Sequence, residues 1–231
     1  MSVRSKSASR ERILGGIRKS VGAAPDDADR RVTIQKRLYD HTAHIIPERA
    51  QKAQDALIDQ FESILQGQSA TVTRVASHEN IAPVVANYLR DHNLPARLRH
   101  GGDERLERID WSAASHIDRL TGPAHPDDVV SLSHAFGGAS ETGTLFMVSG
   151  EENPTTLNFL PETHIVVVSS RDVVGPYEEV WTQIRETYGE RTMPRTVNLI
   201  SGPSRTGDIE QILVMGAHGP KRLHVIIVED D

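Results

Sequence analysis

Ile165-Val-Val-Val168 is the stretch on which the fold class turns. It is apolar on both faces and too short for a helical stripe, so it reads as a strand buried on both sides, the usual state of strands in a parallel sheet. Working outward, residues 128–133, 143–148, 196–200 and 223–228 offer further strands. Between them Pro176 can open a helix with Val180, Trp181, Ile184 and Tyr188 inward. Upstream, residues 70–75 form a strand, and Ser77 can cap a helix striped by Ile81, Val84, Val85, Tyr88 and Leu89. A short strand follows at 96–98. Strands alternating with helices predict an α/β fold, a mostly parallel sheet flanked by helices. No internal repeat and no low-complexity tract interrupts it.

Residues 1–69 have a different texture and are expected to be an N-terminal helical extension of an α/β domain over 70–231. The first 22 residues hold six Lys or Arg and one Glu, and Ile13, Leu14, Ile17 and Val21 share one helix face. That face predicts packing on the domain or on another subunit. Residues 23–31 read as a linker. Pro47 and Glu48 suit the start of a second helix, in which Ala50, Ala53, Leu57, Phe61 and Ile64 recur at helical spacing before Gly67.

Composition bounds the function. The net charge is −6, which argues against nucleic acid as a main partner, because phosphate binding needs a basic surface. No apolar run reaches membrane-spanning length and no signal-peptide core opens the chain, so a cytoplasmic location is expected. There is no cysteine. Disulfides, thiolate catalysis and cysteine-held iron–sulfur clusters are therefore excluded from this chain. No cofactor is expected in it.

Three segments can carry chemistry. Ser201-Gly-Pro-Ser-Arg-Thr-Gly-Asp208 follows the strand ending at Ile200. Its glycines allow close backbone approach, Ser204 and Thr206 offer hydroxyls, and Arg205 can hold a carboxylate or phosphate by two hydrogen bonds. Residues 208–213 can continue as a helix, whose N-terminus at the carboxyl edge of the sheet is an anion site. An ordinary strand-to-helix turn with Thr206 as cap accounts for the same residues. The loop matches neither the P-loop nor the dinucleotide fingerprint. Gly137-Gly-Ala-Ser-Glu-Thr-Gly143 can lift Glu141 into a cleft as acid, base or nucleophile, or leave it a solvated turn residue. Gly216-Ala-His-Gly-Pro220 places His218 where it can donate to an anion or exchange a proton, or merely makes a turn. His134 and His164 read as satisfied polar residues, and His41 with His44 is too sparse for a metal site.

Taken in order, Ser140-Glu-Thr-Gly-Thr144, Leu160-Pro-Glu-Thr-His-Ile165, Ser201-Gly-Pro-Ser-Arg-Thr-Gly-Asp-Ile-Glu210 and Gly216-Ala-His-Gly-Pro220 resemble the signature of the lactate-utilisation protein C family, or LUD domain. The likeness covers roughly residues 70–231; Ser140 stands where family members often have Ala. It implies the fold shared with glucosamine-6-phosphate deaminase, ribose-5-phosphate isomerase and CoA transferases. It also implies a role beside iron–sulfur partner proteins in oxidising L-lactate to pyruvate, here as a non-redox subunit binding a small anion. Ser140-Glu-Thr-Gly143 is similar, more distantly, to the Ser-Glu-Asn-Gly element of CoA transferases, whose Glu is the nucleophile; Thr142 replaces the Asn. On this basis Glu141 is the candidate catalytic residue. Thr142, Gly143, Ser201, Gly202, Ser204, Arg205, Thr206, Asp208, His218 and Gly219 are the candidate ligand-binding residues, expected to line one cleft. The competing readings are an independent enzyme acting on a CoA ester, sugar phosphate or folate-like anion, and a pure assembly protein.

Overall fold

A computed structural model describes residues 3–22, 27–41, 45–189, 192–209 and 212–229, with side chains described at 8–22, 27–41, 45–189, 192–206 and 214–229. Contacts divide the chain into two units, Met1–Ile45 and Ile46–Asp231.

The first unit holds α1 (Val3–Ser20) and α2 (Ala28–Asp40). Asp27 caps α2 by accepting from the Arg30 N–H at 2.9 Å, and His41 ends it in the left-handed conformation. The supposed linker over 23–31 is therefore helical from Ala28 onward. Ile13, Ile17 and Val21 are exposed, as are Val32 and Leu38 of α2. His44 lies outside the described residues.

The second unit begins with a 3₁₀ turn, Glu48–Ala50, and α3 (Gln54–Gly67). There follow β1 (Thr71–Val75), α4 (Ile81–Asp91), β2 (Arg97–His100), α5 (Glu104–Glu107), β3 (Asp118–Thr121), β4 (Val130–His134), β5 (Gly137–Ala139), β6 (Thr144–Val148), β7 (Thr163–Ser169), β8 (Val173–Val174), α6 (Tyr177–Tyr188), β9 (Val197–Ile200), β10 (Arg205–Ile209), β11 (Ile212–Met215) and β12 (Arg222–Val228). Six strands form a parallel sheet in the order β1-β12-β7-β4-β2-β3. As the unbroken apolar run requires, β7 lies near its centre, between β12 and β4, and is buried along its whole length. On one face, Ile165, Val167, Ile226 and Val228 pack on Ile81, Val85 and Leu89 of α4. On the other, Val166, Val168, Val225 and Ile227 meet Ile58, Phe61 and Leu65 of α3 and Leu145 and Met147 of β6. Burying Phe61 or Leu65 contributes about 1.5–3 kcal/mol each.

α3 buries Leu57, Ile58, Phe61 and Leu65 and belongs to the second unit, Ile46–Asp231. A second sheet, β8-β5-β6-β9, is antiparallel except for β5 with β8. Val180 and Ile184 of α6 pack with Phe146 and Ala139 of this sheet.

The helix expected over 208–213 is replaced by a hairpin, with Arg205 opposite Met215 and Thr206 opposite Val214. Gly207 is a poor residue for a first helical turn, and β-branched Thr206, Ile209, Ile212 and Val214 favour a pleated surface.

Candidate functional site

β9 runs antiparallel to β6 and delivers Leu199 and Ile200 to the loop that begins at Ser201. The chain leaves through the hairpin and returns to the same place. Ser204 N–H donates to the Pro220 carbonyl at 2.8 Å, and Gly216 N–H donates to the Ser204 carbonyl at 2.8 Å. The two loops are thus closed onto each other at the hairpin base, and the His218 N–H reaches the Ser204 hydroxyl at 3.4 Å.

Between these loops and the sheet lies a cavity of about 230 Å³. Ser201, Gly202, Pro203 and Ser204 form one wall, and His218, Gly219 and Pro220 another. His164 and Leu223, at the amino ends of β7 and β12, complete it with Asn158 and Phe159. The site therefore sits at the amino edge of the parallel sheet, not at the carboxyl edge expected from sequence. The reason is that β9 belongs to the second sheet. Among the described residues of the lining there is no Lys, Arg, Asp or Glu.

His164 is fully buried on the face of β7 that also carries Val166 and Val168. Its Nε2 lies 3.0 Å from the Ser133 hydroxyl, whereas its Nδ1 has no partner among the described residues. Burial pushes its pKa down to about 3, so the ring is neutral at neutral pH.

Glu141 stands apart from this cavity. Its side chain is 8% exposed, its Oε1 accepts from the Tyr177 N–H at 3.0 Å, and Arg49 Nη2 is 3.9 Å from Oε2. The carboxylate thus meets the first turn of α6, where helix geometry favours an anion. The next residues connect it to the loops. Thr142 Oγ1 donates to Tyr177 Oη at 2.9 Å, and Thr144 Oγ1 lies 2.8 Å from Thr142 Oγ1, 2.6 Å from Tyr177 Oη and 2.7 Å from Ser201 Oγ. Four hydroxyls therefore join the Ser-Glu-Thr-Gly segment to the cavity wall. Gly143 has φ 61°, and a Cβ there would stand 2.8 Å from Ile64 Cγ2, so its role is close packing against α3.

Of the candidate binding residues, Ser201, Gly202, Ser204, His218 and Gly219 line the cavity, and Thr142 reaches it only through Thr144. Arg205 does not line it. Its Nη2 donates to the carbonyl and to the Oε1 of Gln68, each at 2.7 Å, clasping the hairpin base to the end of α3. Thr206 is a hairpin pair, and the side chain of Asp208 lies outside the described residues. Outside the two quoted loops, Asn158, Phe159, His164, Leu199, Ile200 and Leu223 also line it, and none of them is a candidate read from sequence. Only His164 carried a legible signal, a polar residue interrupting an apolar face at strand spacing. Among the described residues no group of three or more His, Asp or Glu could hold a metal ion, and no helix is long and apolar enough to cross a membrane.

The LUD domain family model matches residues 58–228. An uncharacterised protein of Neisseria meningitidis serogroup B is 38% identical over 151 residues, 62% of this chain and 63% of that protein. Two proteins named lactate utilization protein C are also similar. That of Anoxybacillus flavithermus is 32% identical over 159 residues, 68% of this chain and 67% of its own. That of Shouchella clausii is 34% identical over 91 residues, 39% of this chain and 40% of its own. The matched stretch is thus less than two thirds of the Neisseria and Shouchella proteins. A crystal structure of a DUF162 family protein from Deinococcus radiodurans shares the fold, with a TM-score of 0.55 at 22% identity, over 77% of this chain and 99% of that one.

Proposed function

The chain belongs to the LUD domain family, and on that premise we propose that it serves L-lactate utilisation as a non-redox, ligand-binding component of the system that oxidises L-lactate to pyruvate. Relatives named lactate utilization protein C support the pathway. Oxidation to pyruvate must deliver electrons somewhere, and this chain has no thiolate to hold a cluster. Iron–sulfur centres would then belong to partner proteins, and the system to the cytoplasm.

The observation that carries the ligand-binding reading is the cavity itself. Its walls are the two most specific signature segments, Ser201–Ser204 and His218–Pro220, and one of its lining residues holds a buried, unpartnered ring nitrogen. In this role the serine hydroxyls and His218 orient a small molecule, and the apolar side chains of Phe159, Leu199, Ile200 and Leu223 exclude water. An anion gripped by Arg205 gains no support from the placement of that side chain against Gln68. Likewise the engagement of Glu141 with Tyr177 and Arg49 gives no support to a catalytic carboxylate.

Gene deletion tests the pathway assignment. Growth on L-lactate should be lost while growth on pyruvate persists, and complementation with the intact gene should restore it. Undiminished growth on L-lactate, in a strain with no second lactate dehydrogenase, overturns the proposal.

A further inference from the structure

Charge divides the chain at the same place as contacts do. Residues 1–45 hold ten Lys or Arg and five Asp or Glu, a net charge of +5. The whole chain carries −6, so the body, residues 46–231, carries −11. This basic arm lies outside residues 58–228, the stretch that the family model matches. Its helices carry apolar stripes and bury little. Ile13, Ile17 and Val21 are 53–59% exposed, Val32, Ile34 and Leu38 are 47–64% exposed, and α2 has no buried residue. A helix of 13 residues is marginal in water by itself, because helical stability in proteins comes mostly from packing an apolar face.

Charge also selects what covers these stripes. Pairing two arms with each other sets +5 against +5. An anionic bilayer or a nucleic acid attracts the arm but repels a body of −11, and residues 1–45 hold no Trp or Phe to anchor in a lipid interface. An acidic protein surface suits the basic residues and the apolar stripes together, and the body of a second copy supplies one. Area sets the number of contacts. At 1.5 Å per residue α1 and α2 are about 27 Å and 20 Å long, so faces about 10 Å wide offer roughly 470 Å² per arm. One arm on one body buries about twice that, counting both surfaces, which falls short of the roughly 1,000 Å² of a stable interface. Two reciprocal contacts bury about 1,900 Å², within the range of specific dimers.

We propose that residues 1–45 are a dimerisation arm, and that α1 and α2 of each copy dock their apolar stripes on the acidic body of the other, closing a twofold-symmetric pair. Arg10, Arg30 and Lys36 stand three or four residues from Ile13, Ile34 and Val32, so they rim the docking faces and meet carboxylates across the contact. The inference does not depend on the ligand-binding reading.

Sedimentation velocity of the full chain, from about 1 μM upward, tests this. The chain should run at twice its 25.5 kDa mass. Ile13→Ser combined with Ile17→Ser, both at exposed positions, should weaken the dimer by about a hundredfold or more. Arg10→Glu, Arg30→Glu and Lys36→Glu together take the arm from +5 to −1, each reversal changing the charge by two. They should weaken the dimer by about tenfold or more, while circular dichroism shows the helix content of both variants unchanged. If the arms paired with each other, the same reversal would remove their repulsion and tighten the dimer, which overturns the proposal. A chain that stays monomeric, or a dimer that ignores both sets of substitutions, also overturns it. Flotation with phosphatidylglycerol vesicles, against phosphatidylcholine vesicles as control, tests the lipid alternative. The chain should stay in solution, and capture by the anionic vesicles overturns docking on a second copy.

Discussion

Replacing Glu141 separates a wall-building carboxylate from a reacting one. In Glu141→Ala the Tyr177 N–H loses its acceptor at 3.0 Å, and the first turn of α6 loses a nearly buried negative charge. Losing a capping acceptor costs about 0.5–2 kcal/mol, and losing the charge at a helix N-terminus about 0.3–1 kcal/mol more. A total near 2 kcal/mol in a chain of this size lowers Tm by about 4–8 °C. Glu141→Gln keeps an acceptor oxygen and should lose less than half as much. Circular dichroism melts of the three proteins give the stabilities, and growth on L-lactate after gene replacement gives the function. Growth on L-lactate should persist in both variants, because Glu141 does not line the cavity. A Tm shift below about 1 °C in Glu141→Ala, together with lost growth on L-lactate, would refute the cap and return Glu141 to the chemistry.

Thr144→Val should cost about 1–3 kcal/mol by urea unfolding, because it leaves Tyr177 Oη and Ser201 Oγ without their shared partner; an unchanged midpoint would contradict the hydroxyl chain. Arg205→Lys should lower stability by less than about 1 kcal/mol at its exposed position and leave growth on L-lactate intact, whereas lost growth at unchanged stability would place the guanidinium in the site. Stability should fall as pH drops below about 6.5. Burial holds the folded pKa values of His164 and His224 at about 3 and about 4, so the unfolded chain binds more protons in that window. Each histidine then costs up to about 1.4 kcal/mol per pH unit until its folded value is reached. Urea midpoints measured from pH 7 to pH 4.5 check this, and a flat profile would show that these rings are solvated.

What sequence made legible was local. The run over Ile165–Val168 needed cover on both faces wherever it went, and the stripe of α4 needed an apolar surface beneath it. Both are properties of a few adjacent residues, so period and composition expose them. The second sheet was not legible, because Gly137–Ala139 and Val173–Val174 are too short and too featureless to announce pairing. The hairpin was misread for a related reason. Polar Arg205 and Asp208 around Gly207 suit a helix start as well as a strand, and only pairing with Ile212–Met215 decides the matter. Arg205 itself was assigned from its chemistry, yet its partner Gln68 is 137 residues away, a contact no spacing rule can supply.

Ser201, Ser204, His218 and Gly219 face the cavity, but Glu141, Gly143, Thr144 and Arg205 fix the pieces that form it. Two chain segments separated by the β10–β11 hairpin can line one cavity only if the hairpin base is closed, which the Ser204–Pro220 and Gly216–Ser204 hydrogen bonds do. That closed base must in turn be held against α3 and β6, which Arg205 and the Thr144 hydroxyl do. A residue type demanded at such a joint is specified as tightly as one that touches a ligand, because an unpaired polar group there costs about as much as a lost ligand contact. Motif membership therefore assigns a residue to the site's construction, and only its side-chain direction assigns it to the site's chemistry.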